Sequence, residues 1–313
     1  MLRFLKNKFA FAFFLIVMTG SVSAQFRVIG YVHSNRVAPD LSLIQFGYLT
    51  HLNIAFVNPD SSGNLMLPPG FDSIVAAAHA NKVKVLASIG GGSFIPQYKW
   101  LLQDSLRHGL VLGILQMAIT HQLDGIDVDI ENDNLDENYG RFVGDLSRAL
   151  KPQKLLLTAA LATWNGEKIG DSTLKKFDFI NIMSYDQTGP WAKDKPGPHS
   201  TYAKAVEDMD YWTERRKLKK KNLNLGLPFY GYCFDTQFGE SMSYGEIITQ
   251  FPGTENVDEY DPPGGGRIYF NGIPTIKQKM ALARKKAGGV MVWQLLQDAQ
   301  GELSLLKVIY ENK

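Results

Sequence analysis

The stretch Leu123-Asp124-Gly125-Ile126-Asp127-Val128-Asp129-Ile130-Glu131 alternates acidic with β-branched residues. In an extended strand successive side chains point to opposite faces. Asp127, Asp129 and Glu131 therefore share one face, and Ile126, Val128 and Ile130 share the other. A β-branched face opposite the acids suits a strand buried on both sides rather than one with a face in water. The acids then point into the fold. Like charges held close in a low dielectric resist simultaneous ionisation, so at least one carboxyl is expected to keep its proton near neutral pH. A carboxylic acid kept protonated at the mouth of a pocket is what general-acid catalysis requires. A divalent-cation site is the rival reading of such a row. The calcium-loop pattern, however, places its glycine after the third acidic position, and here Gly125 precedes the row.

Outward from this strand the chain alternates short β-rich runs with longer amphipathic stretches. The strands expected are Phe26–Val32, Leu52–Val57, Val83–Ile89, Gly125–Glu131, Leu155–Ala160, Phe179–Met183, Leu223–Leu227 and Gly289–Trp293. Helical patterns cover Phe71–Asn81, Leu110–His121, Asn138–Leu150, Tyr202–Leu218 and Thr275–Ala287. Eight β/α units in a chain of this length predict an α/β fold of the (β/α)8 TIM-barrel type. A doubly wound open sheet fits less well, because the first strand ends in Tyr31-Val32-His33-Ser34 and no phosphate-binding glycine loop follows it. In a barrel the chemistry belongs at the C-terminal ends of the strands. Polar and aromatic residues do gather there: Ser88-Ile89-Gly90-Gly91-Gly92-Ser93, Glu131, Ser184-Tyr185-Asp186, Tyr230 and Trp293-Gln294.

The first 24 residues read as an export signal. Arg3, Lys6 and Lys8 are followed by the apolar run Phe9–Met18, and Val22-Ser23-Ala24 is a small-residue cleavage site. An apolar run this short falls well below the roughly 20 residues needed to span a bilayer. The catalytic domain is expected over residues 25–313, in a periplasmic or extracellular location. The chain carries 33 Lys and Arg against 31 Asp and Glu, so loss of three basic residues leaves it near neutral. That balance gives no electrostatic case for a nucleic-acid partner. The one basic cluster, Arg215–Lys221, reads as a solvated helix end. Cys233 is the only cysteine, the six histidines are scattered, and neither a metal nor a cofactor is expected.

Asp124-Gly125-Ile126-Asp127-Val128-Asp129-Ile130-Glu131 resembles the D-G-x-D-x-D-x-E signature of the family 18 glycoside hydrolases, the chitinases and endo-β-N-acetylglucosaminidases. Other segments are similar to family motifs in the same order along the chain. Ser88-Ile89-Gly90-Gly91 resembles S-x-G-G, and Met183-Ser184-Tyr185-Asp186 resembles M-x-Y-D. Gly226-Leu227-Pro228-Phe229-Tyr230-Gly231 resembles G-x-P-x-Y-G, and Gly288–Trp293 resembles G-G-x-M-x-W. The resemblance implies a substrate-assisted retaining hydrolysis. Glu131 would be the acid and later the base, and Asp129 would hold the substrate's acetamido N–H. Asp127 would share a proton with Asp129, and Tyr185 would hydrogen-bond the acetamido group. It also implies a sugar-binding role for Trp293 as the floor of subsite −1, with Met183, Asp186, Gly91 and Tyr230 beside it. Tyr31 and Phe56 are candidate pocket walls. Trp191, in the loop after the sixth strand, is a candidate platform for the leaving group.

The implied partner is an oligo- or polysaccharide containing N-acetylglucosamine, and the protein is expected to act as a monomer. The interval from Pro228 to Gly288 holds only 61 residues. A reduced insertion and a shallow, open groove are therefore expected between the seventh and eighth strands. The irregular part, roughly residues 230–272, reads either as a small subdomain or as a long active-site loop. The motif itself does not separate a chitinase from an endo-β-N-acetylglucosaminidase acting on N-glycan cores. A lectin-like, non-catalytic barrel is the alternative from another class, and Glu131 argues against it.

Overall fold

The computed structural model describes residues 25–33, 38 and 40–313; the expected export signal lies outside the described residues. Eight parallel strands close into a barrel: β1 Arg27–His33, β2 His51–Ala55, β3 Lys84–Gly91, β4 Gly125–Ile130, β5 Leu156–Leu161, β6 Phe179–Ile182, β7 Leu223–Pro228 and β8 Gly289–Trp293. Each strand pairs with its sequence neighbours, and β1 closes on β8. The expected strands agree with these to within two residues at either end. Glu131 lies just past β4, where the backbone enters a 3-10 turn over Asn132–Asn134.

The alternation in β4 sorts its side chains as the sequence suggested. Ile126, Val128 and Ile130 are buried in the main core with residues of the helices, whereas Asp127 and Asp129 are also buried but face the barrel interior. The helix Glu137–Leu150 shows how the outer layer forms. The Asp136 side chain accepts the Asn138 N–H at the N-cap, and Tyr139, Phe142, Val143, Leu146 and Leu150 make one buried stripe. A smaller apolar cluster fills the barrel and includes Ile29, Tyr31, Phe179, Met183, Tyr185 and Met291.

One helix differs from the sequence reading. The helix expected over Tyr202–Leu218 is α-helical only to Asp210 and then continues as a π-helical turn over Tyr211–Arg215. Between β7 and β8 the structure takes the subdomain alternative rather than the long loop. The subdomain holds a four-stranded antiparallel sheet in the order Ser241–Ser243, Tyr230–Phe234, Arg267–Tyr269, Glu259–Tyr260. The helix Tyr244–Gln250 is fastened to it by a Ser243–Glu246 capping box. Strands of two to five residues carry too little alternation to stand out in a sequence, which is why a loop seemed possible there. In the basic run, Lys217, Lys219, Lys220 and Lys221 are exposed; Arg216 instead turns inward to the carbonyls of Gly166 and Ile169. Among the described residues no helix is long and apolar enough to cross a membrane.

Candidate active site

The acidic row rises from the middle of the barrel to its C-terminal mouth, and each carboxyl meets a different environment. Asp127 is fully buried and saturated. It accepts hydrogen bonds from Tyr31 Oη (2.6 Å), Ser88 Oγ (2.8 Å), Thr158 Oγ1 (2.5 Å) and Asn181 Nδ2 (3.4 Å). Strand register supplies two of these donors, because Asp127 lies opposite Ser88 on β3 and Thr158 on β5. Burial pushes its pKa up, and the donors oppose that shift.

Asp129, one layer higher and 4% exposed, has an oxygen, Oδ1, with no hydrogen-bond partner. Burial, then the neighbouring Glu131 and Asp127, raise its pKa well above the usual carboxylate range. Glu131 at the mouth is pushed up to about 7 by burial, with the Asp186 carboxylate adding to the shift. Asp129 and Glu131 interact strongly enough to titrate as a pair rather than as two separate groups.

Glycines bring the neighbouring chain close to this row. A Cβ on Gly90, at φ +108°, would sit 2.3 Å from the Asp129 carbonyl oxygen. A Cβ on Gly91, at φ +109°, would sit 2.7 Å from the Phe56 ring. Both positions therefore require glycine. The Asn58 carboxamide grips Gly90 from the other side, donating to its carbonyl (2.8 Å) and accepting its N–H (2.7 Å).

Above Asp129 a small pocket of about 140 Å³ is lined by Tyr31, Phe56, Gly92, Asp129, Glu131, Ala160, Met183, Tyr185, Asp186 and Trp293. Trp293 stacks on Phe56 at 5.6 Å and 26°, and Tyr31 packs against the same indole at 5.6 Å and 57°. Aromatic planes of this kind suit the apolar C–H face of a pyranose. Tyr185 is buried, and its hydroxyl has a weak partner, donating to Met291 Sδ at 3.7 Å. Next to this pocket a wider groove of about 970 Å³ shares Gly92, Glu131, Met183, Tyr185 and Asp186 with it and continues past Trp164, Trp191, Lys204 and Glu207. Trp164 is 53% exposed and Trp191 64% exposed. Exposed aromatics on a concave polar surface mark a place where something else can stack.

Eight of the twelve residues singled out in the sequence line the small pocket, and the other four stand around it. Asp127 supports the row from below. Gly91 lies behind Phe56, and its neighbour Gly92 reaches the pocket. Tyr230 lines neither cavity; its hydroxyl donates to Asp186 Oδ1, as does that of Tyr232 at 3.0 Å. Trp191 belongs to the wider groove only, against the edge of Tyr232 at 5.4 Å. Several residues with no local signal complete the site. His199 packs against both tyrosines at 4.9 and 4.8 Å, with Nδ1 3.5 Å from Asp186. Trp164, Thr158, Asn181 and Tyr232 were likewise silent in the sequence; only an isolated Trp in a strand-end loop could have drawn attention to the first. Asp124, first in the acidic signature, lies away from the site, accepting the Val85 N–H (2.8 Å) and pairing with His79 (2.9 Å). Among the described residues no cluster of His, Cys, Asp and Glu is arranged to hold a metal ion.

A closed parallel barrel with this acidic strand defines one class of protein, and the model of glycosyl hydrolases family 18 matches residues 27–298. The chain belongs to that family. Its structural relatives include a family 18 chitinase from the chitin utilization locus of Flavobacterium johnsoniae. That protein is 37% identical with a TM-score of 0.83, over 93% of this chain and 94% of the other. A chitinase from Bacteroides thetaiotaomicron is 29% identical with a TM-score of 0.82, over 92% and 96% of the two chains. A chitinase-like effector of Moniliophthora roreri is 26% identical over 272 residues, 75% of this chain and 67% of its own length.

Proposed function

We propose that this chain is an exported glycosidase that cleaves β-1,4 links next to N-acetylglucosamine, a chitinase in type, by substrate-assisted retaining catalysis. One observation carries the reading. A buried carboxylate with an unpartnered oxygen, Asp129, lies in a small aromatic pocket beside a glutamic acid, Glu131, held near pKa 7. An N–H donor on the substrate is what Asp129 Oδ1 lacks, and a 2-acetamido group offers one.

The reaction runs in two steps. Glu131 gives its proton to the glycosidic oxygen while the acetamido carbonyl oxygen bonds to C1 and the C1–O bond breaks, leaving an oxazolinium ion and a free sugar hydroxyl. Asp129 accepts the acetamido N–H and offsets the positive charge that develops on the ring. Tyr185, whose hydroxyl has only a weak partner, turns to the acetamido group. Glu131, now ionised, takes a proton from water as that water bonds to C1 and reopens the ring, so the acid is restored. Trp293 supports the sugar ring. No step needs a metal or cofactor.

Hydrolysis of chitotriose and of a high-mannose glycopeptide, by wild type and Glu131→Gln in the presence of chelator, tests this. Cleavage of chitotriose that Glu131→Gln abolishes supports the chitinase reading; loss of about 10²–10⁴-fold in kcat is expected. Cleavage of the glycopeptide alone keeps the mechanism and replaces the substrate. Binding of both sugars with turnover of neither makes the protein a sugar-binding relative.

A further inference from the structure

The barrel floor carries polar residues that the proposed mechanism does not use. Arg27, at the start of β1, is half-buried, stacks over the Phe179 ring at 4.6 Å and makes no ion pair among the described residues. Its Nε donates to Asn224 Oδ1 (2.9 Å) and its Nη2 to the Lys221 carbonyl (2.6 Å). Asn224 and Asn181 are both fully buried and lie opposite one another on β7 and β6. Asn224 Nδ2 donates to Asn181 Oδ1 (2.9 Å), and Asn181 Nδ2 donates to Tyr31 Oη (3.1 Å) and Asp127 Oδ1 (3.4 Å). Every donor in this column points from the guanidinium toward Asp127. The structure thus holds a cation with no carboxylate partner at one end and a carboxylate with no cation partner at the other.

We infer that Arg27, Asn224 and Asn181 are positioning residues that relay the Arg27 charge to Asp127 and hold that carboxylate ionised beneath the reacting pair. Two aligned amides between opposite charges lower the energy of the charged state, because each dipole is oriented by the cation and presents its N–H toward the anion. Asp127 can then stay negative, and the shared proton of the row is left higher up with Asp129 and Glu131. This rests on the reading of the row as the catalytic one. The other groups facing Asp127 are Tyr31 on β1, Asp129 and Glu131 on its own strand, and the buried Tyr139 and Tyr185. Facing Arg27 is His51 on β2, with Lys84 and Asp124 beyond it; burial and the two cations keep His51 neutral, down to about 4. Arg27 is thus the one cation bonded into the column.

The test compares wild type with Arg27→Gln, which retains an N–H for Asn224 but no charge, and Arg27→Lys, which retains the charge. The pH profile of chitotriose hydrolysis is expected to show an acid limb raised by about half to one pH unit in Arg27→Gln, an unmoved alkaline limb, and recovery in Arg27→Lys. A uniform fall in kcat with both limbs in place would overturn the inference and leave Arg27 a structural plug. Titration of ¹³C-labelled aspartate carboxyls by NMR reads the same shift without turnover. An inactive wild type would therefore defeat the proposed function while leaving this inference open to support or refutation by the Asp127 resonance. If Arg27→Gln does not fold, Asn224→Leu cuts the same relay and is expected to move the same limb.

Discussion

The small pocket and the wide groove share Gly92, Glu131, Met183, Tyr185 and Asp186 but are built differently. The pocket is walled by residues at or next to strand ends, such as Tyr31 on β1, Asp129 on β4 and Trp293 on β8, and most of its lining is buried or half-buried. The groove is walled by loops and a helix, with Trp164 and Trp191 open to solvent and Glu207 exposed. Strand ends are fixed to their neighbours by ladder hydrogen bonds, so groups placed there keep the alignment that bond making and breaking require. Loop residues tolerate change and set what is accepted beyond the cleaved bond. The split between chemistry and acceptance follows the split between strand and loop.

Four substitutions probe that division, and their expected effects decline in order. Tyr185→Phe removes a pocket hydroxyl and should lower kcat on chitotriose by about 10²–10³-fold with little change in KM. Gly91→Ala drives a methyl into the Phe56 ring at a left-handed φ and should cost about 2 kcal/mol, read as a fall of several degrees in Tm. Asp186→Asn removes the charge that helps raise Glu131. The acid must be protonated to work, so wild-type kcat/KM should fall as pH rises through about 7. In Asp186→Asn that alkaline limb should move down by about one pH unit. Trp191→Ala strips a platform from the groove and should raise KM by about fivefold at unchanged kcat. If Trp191→Ala lowered kcat as strongly as Tyr185→Phe does, groove and pocket would be one functional unit and the division would fail.

Much of the pocket was readable because its parts repeat along short, regular strands. In β4 the period of two put Asp127, Asp129 and Glu131 in line before any contact was known. The residues that escaped notice are joined only by barrel closure. Asn181 meets Tyr31 across 150 residues of sequence, and no local pattern reports such a pair. His199 and Tyr232 escaped for a related reason. Tyr232 reaches Asp186 through the sheet of the insertion, whose strands are too short to read, and His199, in the same loop as Asp186, packs against that sheet's tyrosines. Lys279, a fully buried ammonium bonded to Ser200 and Asn271, looked like one more charge in an amphipathic helix.

That insertion has a consequence for anyone who would recombine these barrels. Its strand Tyr230–Phe234 supplies both tyrosines that grip Asp186, and Asp186 in turn contributes to the proton affinity of Glu131. The subdomain looks detachable, a decorative outgrowth between two strands. Under the proposed mechanism, exchanging it for a relative's would carry the pH dependence of Glu131 with it, so a chimera designed to alter sugar binding would come back retuned in acidity as well.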